Sequence, residues 1–207
     1  MITLGITGRS GCGKSTVTGV FSAHGIAVAD GDQISRQVLL PGSHCLAQLA
    51  QQFGSDILQP DGSLNRRLLA DRAFKTPEGT AALTAITHPE ILHRFRLQKQ
   101  AAQAGGARLF ILDGATIVDT PFEAECDRLL VITAPFEQSV QRICARDGIA
   151  PEMARRRLNA QMPQQTLQAK ADYLLVNDTT PQALRDKAEQ LYITIMEEAN
   201  ALCPQEQ

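Results

Sequence analysis

The sequence predicts an α/β fold in which a parallel five-stranded sheet is flanked by helices. Short apolar runs alternate with stretches of helical periodicity, a pattern typical of strands joined by crossover helices. Each run is followed by polar or turn residues, as expected of buried parallel strands. With 207 residues, 43% of them apolar, the chain can close one sizeable core. The predicted strands are Ile2–Thr7, Ile26–Ala29, Arg108–Leu112, Leu129–Thr133 and Tyr173–Val176.

Helix ends are marked at several points of the sequence. The first crossover helix is predicted over Thr16–Ala23, because His24-Gly25 has the form of a glycine C-cap. Pro151-Glu152 indicates the start of another helix. The last helix is predicted from Pro181 to about Ala201. Its apolar residues recur at helical spacing, so one face should pack on the sheet and no chemistry is expected there.

A glycine-rich pattern lies between the first predicted strand and the first helix. Gly8-Arg9-Ser10-Gly11-Cys12-Gly13-Lys14-Ser15 fits G-x-x-x-x-G-K-S/T in the strand-to-helix context that this pattern requires. The glycines let backbone N–H groups turn around a triphosphate, and the helix start adds a positive dipole. Lys14, expected to face solvent without nucleotide, would reach the β- and γ-phosphates, and Ser15 would ligate magnesium. The alternative is a chance match in a glycine-containing turn.

Two segments are unusual for simple connections between strands. Between Asp32 and Gln103 lies a helical region without a strong strand, broken at Pro41-Gly42, Asp61-Gly62 and His88-Pro89. Because it exceeds the length of a crossover, we interpret residues from about 33 to 103 as an acceptor-binding insertion in a single domain, 1–207. Residues from about 142 to 170 are basic, helical and poorly apolar. We interpret them as a lid, with a solvated helix face as the alternative.

Composition excludes several classes of protein. The net charge of −2 gives a nucleic-acid partner no electrostatic support. No stretch approaches about 18 consecutive apolar residues and no basic leader begins the chain, so a membrane or secretory protein is not expected. The five cysteines are odd in number and lack zinc-like spacing, so a reducing cytoplasm fits best. Composition makes no prediction about oligomeric state.

Cys12 has two interpretations. The helix start and the neighbouring Lys14 ammonium both favour a thiolate, which predicts that Cys12 reacts faster with alkylating reagents than the other cysteines, Cys45, Cys126, Cys144 and Cys203. The alternative is a buried and inert small residue, because a free cysteine is usually buried.

Beyond the loop, about a dozen short sequence elements follow one another in a characteristic order. Their order and spacing supply the context in which short motifs can be interpreted. They are Asp30-Gly31-Asp32, Arg36-Gln37-Val38, Pro41-Gly42, Phe53-Gly54, Asp61 to Arg66, Phe74, His88-Pro89, Arg142 to Gly148, Gln161, Ala171-Asp172 and Val176-Asn177-Asp178. In this order and spacing the chain closely resembles the dephospho-coenzyme A kinases, from Ile2 to about Thr179.

This resemblance implies transfer of the ATP γ-phosphoryl group to the ribose 3′-hydroxyl of dephospho-CoA, the last step of coenzyme A synthesis. It implies a P-loop kinase core with a helical acceptor-binding insertion, a mobile lid and Mg²⁺ accompanying ATP. The family's aspartate pair corresponds to Asp30 and Asp32. The Asp32 carboxylate would orient the hydroxyl and accept its proton. An N-cap for the helix from Gln33 onward is the alternative role of Asp32, and Asp30 and Asp113 remain alternative bases.

The resemblance also implies further site residues. The expected catalytic residues are Lys14, Asp32 and Arg142. ATP is expected to contact Gly11, Cys12, Gly13, Lys14, Ser15, Thr16, Arg146 and Asn177, the last near adenine. The acceptor is expected to contact Asp32, Arg36, Arg66, His88, Asp113 and Arg157. The lid arginines Arg142, Arg146 and Arg157 would neutralise charge on the transferring phosphoryl group. For His88, which precedes a helix expected to begin at Pro89, a cap or an exposed loop position is the alternative.

Two positions depart from the family pattern. Family members commonly have Asp-x-Pro-Leu-Leu-Phe-Glu after the third strand, where this chain has Asp113-Gly114-Ala115-Thr116-Ile117-Val118-Asp119. The missing proline and the shorter acid at Asp119 leave the acceptor contacts of that loop open. Cys12 stands where the family usually has serine, and a thiol fits there.

Two other functions compete with this interpretation. The run from Phe110 to Gly114 has a passing likeness to adenylate kinase, but the Phe-Pro-Arg that follows there is replaced by Ala115-Thr116-Ile117. A GTP-dependent switch protein would need an Asn-Lys-x-Asp run to recognise guanine, which this chain lacks, and its long acceptor segment would be idle. The expected partners are therefore ATP and dephospho-CoA, without nucleic acid or membrane.

Overall fold

The computed structural model describes residues 1–202. Within them, five strands form one sheet in the order β2-β3-β1-β4-β5. The strands are β1 (Ile2–Gly8), β2 (Ala27–Asp30), β3 (Leu109–Asp113), β4 (Arg128–Thr133) and β5 (Tyr173–Val176). β1 pairs in parallel with β3 and β4, and β4 pairs in parallel with β5. The predicted fold class is confirmed, and each strand end lies within one residue of its prediction.

Helices connect and flank these strands. They are α1 (Lys14–Ala23), α2 (Gly31–Gln37), α3 (His44–Phe53), α4 (Arg66–Ala73), α5 (Pro77–Ala104), α6 (Phe136–Asp147), α7 (Pro151–Asn159), α8 (Gln164–Ala169) and α9 (Pro181–Leu202). Short 3-10 turns lie at Ser55–Ile57 and Glu123–Glu125. The predicted starts at Pro151 and Pro181 are confirmed, whereas α1 begins at Lys14 rather than Thr16. No helix in residues 1–202 has the length and apolar character needed to cross a membrane.

The main core holds the sheet between helices. All residues of β1 and β3 are buried, and α1 packs against α9 beside them. α1 contributes Val17 and Phe21 to this core, and α9 contributes Leu184, Ala188 and Ile195. Burying one such large apolar side chain stabilises a fold by about 1.5–3 kcal/mol. The carboxyl end of β1 and the start of α1 are therefore anchored on a rigid framework.

Two compact units divide the chain. One contains Met1–Ala29 and the chain from Lys99 onward, and the other is Asp30–Gln98. The second unit has its own apolar core, built from Leu49, Ile57, Leu69 and Ala73 on α3, the first 3-10 turn and α4. The helical segment predicted at about 33–103 overlaps this unit, and its acceptor-binding role remains a prediction.

The predicted helix start at Pro89 is wrong. α5 runs from Pro77 to Ala104 with Pro89 inside it, so His88 is a helical residue rather than a cap or a loop residue. An interior proline removes one backbone hydrogen bond and disfavours helix at the residue before it. However, Thr87 and Ile91 are buried on either side of Pro89, whose ring is exposed. Burial of this helix face offsets the destabilisation that an interior proline causes in the helix.

The predicted lid has more apolar character than its sequence suggested. Val140 and Ile143 on α6 pack against Ala154 and Leu158 on α7 in a small separate core. Part of the segment therefore packs through a small apolar face. Its role as a lid remains a prediction.

Candidate functional site

The phosphate loop joins β1 to α1 with glycines where other residues do not fit. Gly11 and Gly13 have φ of 77° and 99°, in the left-handed region that favours glycine. A Cβ on Gly11 would lie 2.7 Å from the Ser139 carbonyl oxygen, and one on Gly13 would lie 2.4 Å from Asn177 Nδ2. The Thr16 N–H donates to the Gly13 carbonyl at 3.0 Å, closing the first turn of α1. Both glycines are therefore required by conformation and by close packing.

Lys14 forms an ion pair at the centre of the site. Its Nζ donates to Asp113 Oδ1, and Asp113 Oδ2 accepts from the Thr18 hydroxyl at 2.9 Å. The side chains of Lys14 and Asp113 are only 23% and 11% exposed. The expectation that Lys14 faces solvent without nucleotide is therefore wrong, because a carboxylate at the end of β3 neutralises it. Ser15, in contrast, is exposed in the first turn of α1.

Arg142 on α6 and Asn177 after β5 hold the middle of the loop. Arg142 Nη1 donates to the Gly11 carbonyl at 3.3 Å, and Nη2 donates to Gln138 Oε1 and Asn177 Oδ1, both at 3.2 Å. Asn177 is 5% exposed and its Nδ2 donates to the Cys12 carbonyl at 2.8 Å. The expected site residues Arg142 and Asn177 are thus brought to the loop.

The first residues of the loop contact the predicted lid. The Ser10 N–H donates to Gln161 Oε1 at 3.0 Å, and Gln161 Nε2 donates to the Ser10 hydroxyl at 3.0 Å. Arg9 Nη2 donates to the Leu158 carbonyl, and its guanidinium lies 5.7 Å from the Phe136 ring centroid. Burial lowers the pKa of Arg9 from its usual value. Loop and lid segment are therefore joined in this structure.

The other two expected lid arginines are held by one carboxylate. Asp147 accepts from Arg146 at 2.6 and 3.0 Å and from Arg157 at 2.5 Å. These hydrogen bonds, that of Arg146 first, lower the pKa of Asp147 to about 2. Both guanidinium groups therefore have an internal counter-ion in this structure.

The loop after β3 is tied to the end of the lid segment. Lys170 lies 3.3 Å from Asp119 Oδ1 and 3.2 Å from Glu123 Oε1. The Asp119 N–H donates to Glu123 Oε2 at 2.7 Å, while Asp119 adopts a φ of 57°. The shorter acid that departs from the family pattern thus serves an ion pair with the lid segment.

Cys12 is buried beneath the loop surface. It is 2% exposed, and burial raises the pKa of its thiol to about 11, against a smaller opposing effect of Lys14. This burial argues against the hypothesis of a fast-reacting thiolate and supports the alternative of an inert small residue. Loss of solvation outweighs the nearby charge and the helix start. Cys203 lies outside the described residues.

The second unit contains the remaining expected residues. Asp30, not Asp32, is the N-cap of α2, since its Oδ1 accepts the Gln33 N–H at 2.9 Å. The cap interpretation of Asp32 is therefore wrong. Asp32 lies in the first turn of α2, and its side chain is exposed.

The expected acceptor residues of this unit occupy separate helices. Arg36, in the last turn of α2, and Arg66, the first residue of α4, are both exposed. His88 is half-buried within α5, and burial lowers its pKa from the usual value. These residues remain predicted acceptor contacts.

A glycine loop at the carboxyl end of a central parallel strand, with its lysine paired to a carboxylate on the neighbouring strand, defines a nucleotide-binding protein of the P-loop class. The family model for dephospho-CoA kinase matches residues 2–182. A dephospho-CoA kinase of Corynebacterium glutamicum is 36% identical over 200 residues, covering 97% of this chain and 100% of that protein. The chain belongs to the dephospho-CoA kinase family, as the resemblance implied.

Solved structures support the fold. The crystal structure of TT1252 from Thermus thermophilus has a TM-score of 0.79 at 30% identity, covering 95% of this chain and 97% of that chain. The dephospho-CoA kinase from Campylobacter jejuni has a TM-score of 0.62 at 23% identity, covering 93% and 96% of the two chains, and supports the fold.

Sequence reasoning missed several contacts at the site. It assigned Asp113 to the acceptor but not to Lys14, and it gave no role to Thr18, Gln138 or Asp147. The position of Asp113 at the end of a strand beside the loop strand was a usable signal, because ligand-binding groups gather at that edge. Gln138 lies four positions before Arg142 on α6 and Asp147 directly follows Arg146, so closeness in sequence was a usable signal for these two contacts. The contact of Thr18 with Asp113 joins different elements and has no local signal.

Proposed function

We propose that this kinase transfers the γ-phosphoryl group of ATP to the 3′-hydroxyl of dephospho-CoA, giving coenzyme A and ADP. The observation that carries this proposal is the family match, which extends over residues 2–182 and so includes both the phosphate loop and the helical unit. The geometry of the loop supports it, because Gly11 and Gly13 adopt left-handed conformations and Lys14 begins α1, as in a loop that presents backbone N–H groups and a helix start to a polyphosphate.

Lys14 is the proposed contact of the β- and γ-phosphates. On nucleotide binding its ammonium would exchange the Asp113 carboxylate for phosphate oxygens, keeping a counter-ion throughout. Arg142 would add positive charge beside the loop, and Arg146 and Arg157 would leave Asp147 for the transferring phosphoryl group. The loop residues Gly11 to Thr16 would contact ATP mainly through their backbone N–H groups.

Mg²⁺ is the proposed cofactor. Residues 1–202 contain no cluster of three or more His, Cys, Asp or Glu side chains suited to hold a metal. Mg²⁺ normally keeps several waters and binds one or two protein oxygens together with substrate phosphates, so such a cluster is not required. The exposed hydroxyl at the start of α1, on Ser15, fits that requirement. The ion would neutralise negative charge on the phosphates.

Asp32 is the proposed general base. Its carboxylate is exposed at the first turn of α2. Because Asp30 caps this helix, the Asp32 carboxylate is not needed as the cap. It would orient the 3′-hydroxyl and accept its proton as the new P–O bond forms. In the same unit, the proposed acceptor contacts are Arg36, Arg66 and His88. Outside this unit, the proposed acceptor contacts are Asp113 and Arg157.

A direct assay with alternative acceptors tests this function. Purified protein is incubated with Mg-ATP and, separately, dephospho-CoA, adenosine monophosphate and shikimate, and ADP release and product mass are followed. We expect ADP formation only with dephospho-CoA, and a product with one phosphate on the ribose 3′-oxygen. Equal or faster turnover with another acceptor would overturn the proposal. A cytoplasmic location is expected for this activity.

A further inference from the structure

We propose that Asn177 is a positioning residue that holds the phosphate loop in its binding conformation, rather than a contact of the adenine base. The inference rests on the proposed function, because it concerns how the same loop receives the phosphates of ATP. It assigns to Asn177 a role in aiming loop amides and in fixing the guanidinium of Arg142.

Asn177 is well placed to act as a fixed support. It directly follows β5, and its backbone N–H donates to the Thr133 carbonyl at 2.8 Å, which continues the pairing of β5 with β4. The residue is only 5% exposed. Its position is therefore set by the sheet and not by the loop it touches.

The side-chain amide of Asn177 is engaged at both ends. Nδ2 donates to the Cys12 carbonyl at 2.8 Å, and Oδ1 accepts from Arg142 Nη2 at 3.2 Å. A Cβ on Gly13 would lie 2.4 Å from the same Nδ2, so the amide fills the space against the loop. An amide that is buried and bonded at both ends is poorly suited to recognise a base.

The contact with Cys12 determines where the next amide points. The carbonyl of one residue and the N–H of the next belong to one planar trans peptide and point in opposite directions. When Asn177 holds the Cys12 carbonyl, the Gly13 N–H is directed away from Asn177. Phosphate loops bind their ligand with such N–H groups. Asn177 therefore sets the direction of a phosphate-binding donor without touching the phosphate.

Arg142 extends the same support to the preceding peptide. It donates to the Gly11 carbonyl at 3.3 Å while it is held by Asn177 and by Gln138. Two consecutive carbonyls of the loop, those of Gly11 and Cys12, are thus bonded to one connected group of side chains. Loss of Asn177 removes one of these bonds and loosens the other.

Binding of ATP and of inorganic tripolyphosphate separates the positioning role from a contact with adenine. Both ligands, each with Mg²⁺, are titrated calorimetrically into wild type, Asn177→Ala, Gln138→Ala and the neighbouring control Asp178→Asn, whose side chain is exposed. We expect Asn177→Ala to weaken both ligands by the same factor, about tenfold, the usual effect of leaving one buried carbonyl unpaired. Gln138→Ala, which removes an Arg142 contact but no loop contact, should weaken binding less than about threefold. Asp178→Asn should bind as wild type.

Several results would overturn the proposal. Weaker ATP binding with unchanged tripolyphosphate binding would assign Asn177 to the base. Unchanged binding of both ligands, with only a lower melting temperature, would make Asn177 a purely structural residue. Equal losses of binding affinity in Asn177→Ala and Gln138→Ala would show that the loss arises from Arg142 alone. Should Asn177→Ala not fold, Asn177→Ser is titrated in the same way, with the same expected result. No acceptor is present, so the outcome does not depend on dephospho-CoA being the substrate.

Discussion

Replacing Lys14 by methionine tests the ion pair that the structure places at the centre of the site. In wild type the Lys14 ammonium neutralises Asp113, which is 8% exposed and otherwise bonded to the Thr18 hydroxyl. Methionine has a similar length but no charge. Lys14→Met therefore leaves a largely buried carboxylate with a single neutral partner, even when no nucleotide is bound.

The expected loss of stability follows from the burial of the two partners. Breaking a fully buried ion pair by removing one partner costs about 3–5 kcal/mol. Because the two side chains are 23% and 11% exposed, water screens part of this effect, and we expect a loss of about 2 kcal/mol. For a chain of this size, that corresponds to a melting temperature lower by about 4–8 °C.

Calorimetry without nucleotide measures this difference directly. The double variant Lys14→Met/Asp113→Asn should recover most of the loss, because a neutral amide oxygen still accepts from Thr18 and no charge remains buried. Lys75→Met, a change of the same type at an exposed lysine, is the matched control. A melting temperature for Lys14→Met equal to that of the control, or no recovery in the double variant, would refute the reasoning. Both Lys14 variants should lose at least about a hundredfold in turnover, because the proposed contact with the phosphates would be absent.

Three further outcomes are expected. Asp32→Asn should lower kcat about a hundredfold or more while ATP affinity and melting temperature stay unchanged, because Asp30 caps α2; kcat near wild type would exclude Asp32 as the base. At about pH 8, Cys12 should react with iodoacetamide far more slowly than the half-buried Cys144, since burial raises the pKa of Cys12 to about 11; mass spectrometry that finds Cys12 labelled first would contradict this. The carboxyl carbon of Asp147 should titrate near pH 2 by NMR. Its contacts with the arginines are therefore present at neutral pH and are lost as the pH falls from about 4 towards 2. A titration midpoint at the ordinary pKa of aspartate would argue against these ion pairs.

Local sequence patterns were sufficient for the framework and for the loop. The strand Tyr173–Val176 was predicted at its observed ends, because a short apolar run bounded by polar residues is typical of a buried parallel strand. The phosphate loop was predicted for a similar reason, since its glycines, lysine and serine are adjacent in sequence. In both cases the determining residues lie within a few positions of one another.

Contacts between distant residues were not predictable in this way. Lys14 and Asp113 are 99 positions apart, Ser10 and Gln161 are 151 apart, and Cys12 and Asn177 are 165 apart. Only the order of strands in the sheet brings such residues together. The sequence contains the partners but not their pairing.

The predictions for Pro89 and Cys12, which the structure does not support, have a common physical cause. Pro89 and Cys12 were interpreted from local rules, one about prolines in helices and one about thiols near positive charge. Packing decided both, because α5 buries a face across Pro89 and the core excludes water from Cys12. Burial is a property of the whole fold, so rules that consider only near neighbours miss it.

The contact between Ser10 and Gln161 bears on how often the proposed lid segment would move away from the loop. Motion of this segment away from the loop would break the two reciprocal hydrogen bonds of that pair, as well as the Arg9 contact with the Leu158 carbonyl. The two neutral hydrogen bonds contribute about 1 kcal/mol net each and the bond of the charged Arg9 about 1.5–3 kcal/mol, so separation would cost roughly 3.5–5 kcal/mol. The separated form would then be populated at only about 0.02–0.3%, so without a ligand that favours it the loop would remain covered by this segment almost all of the time.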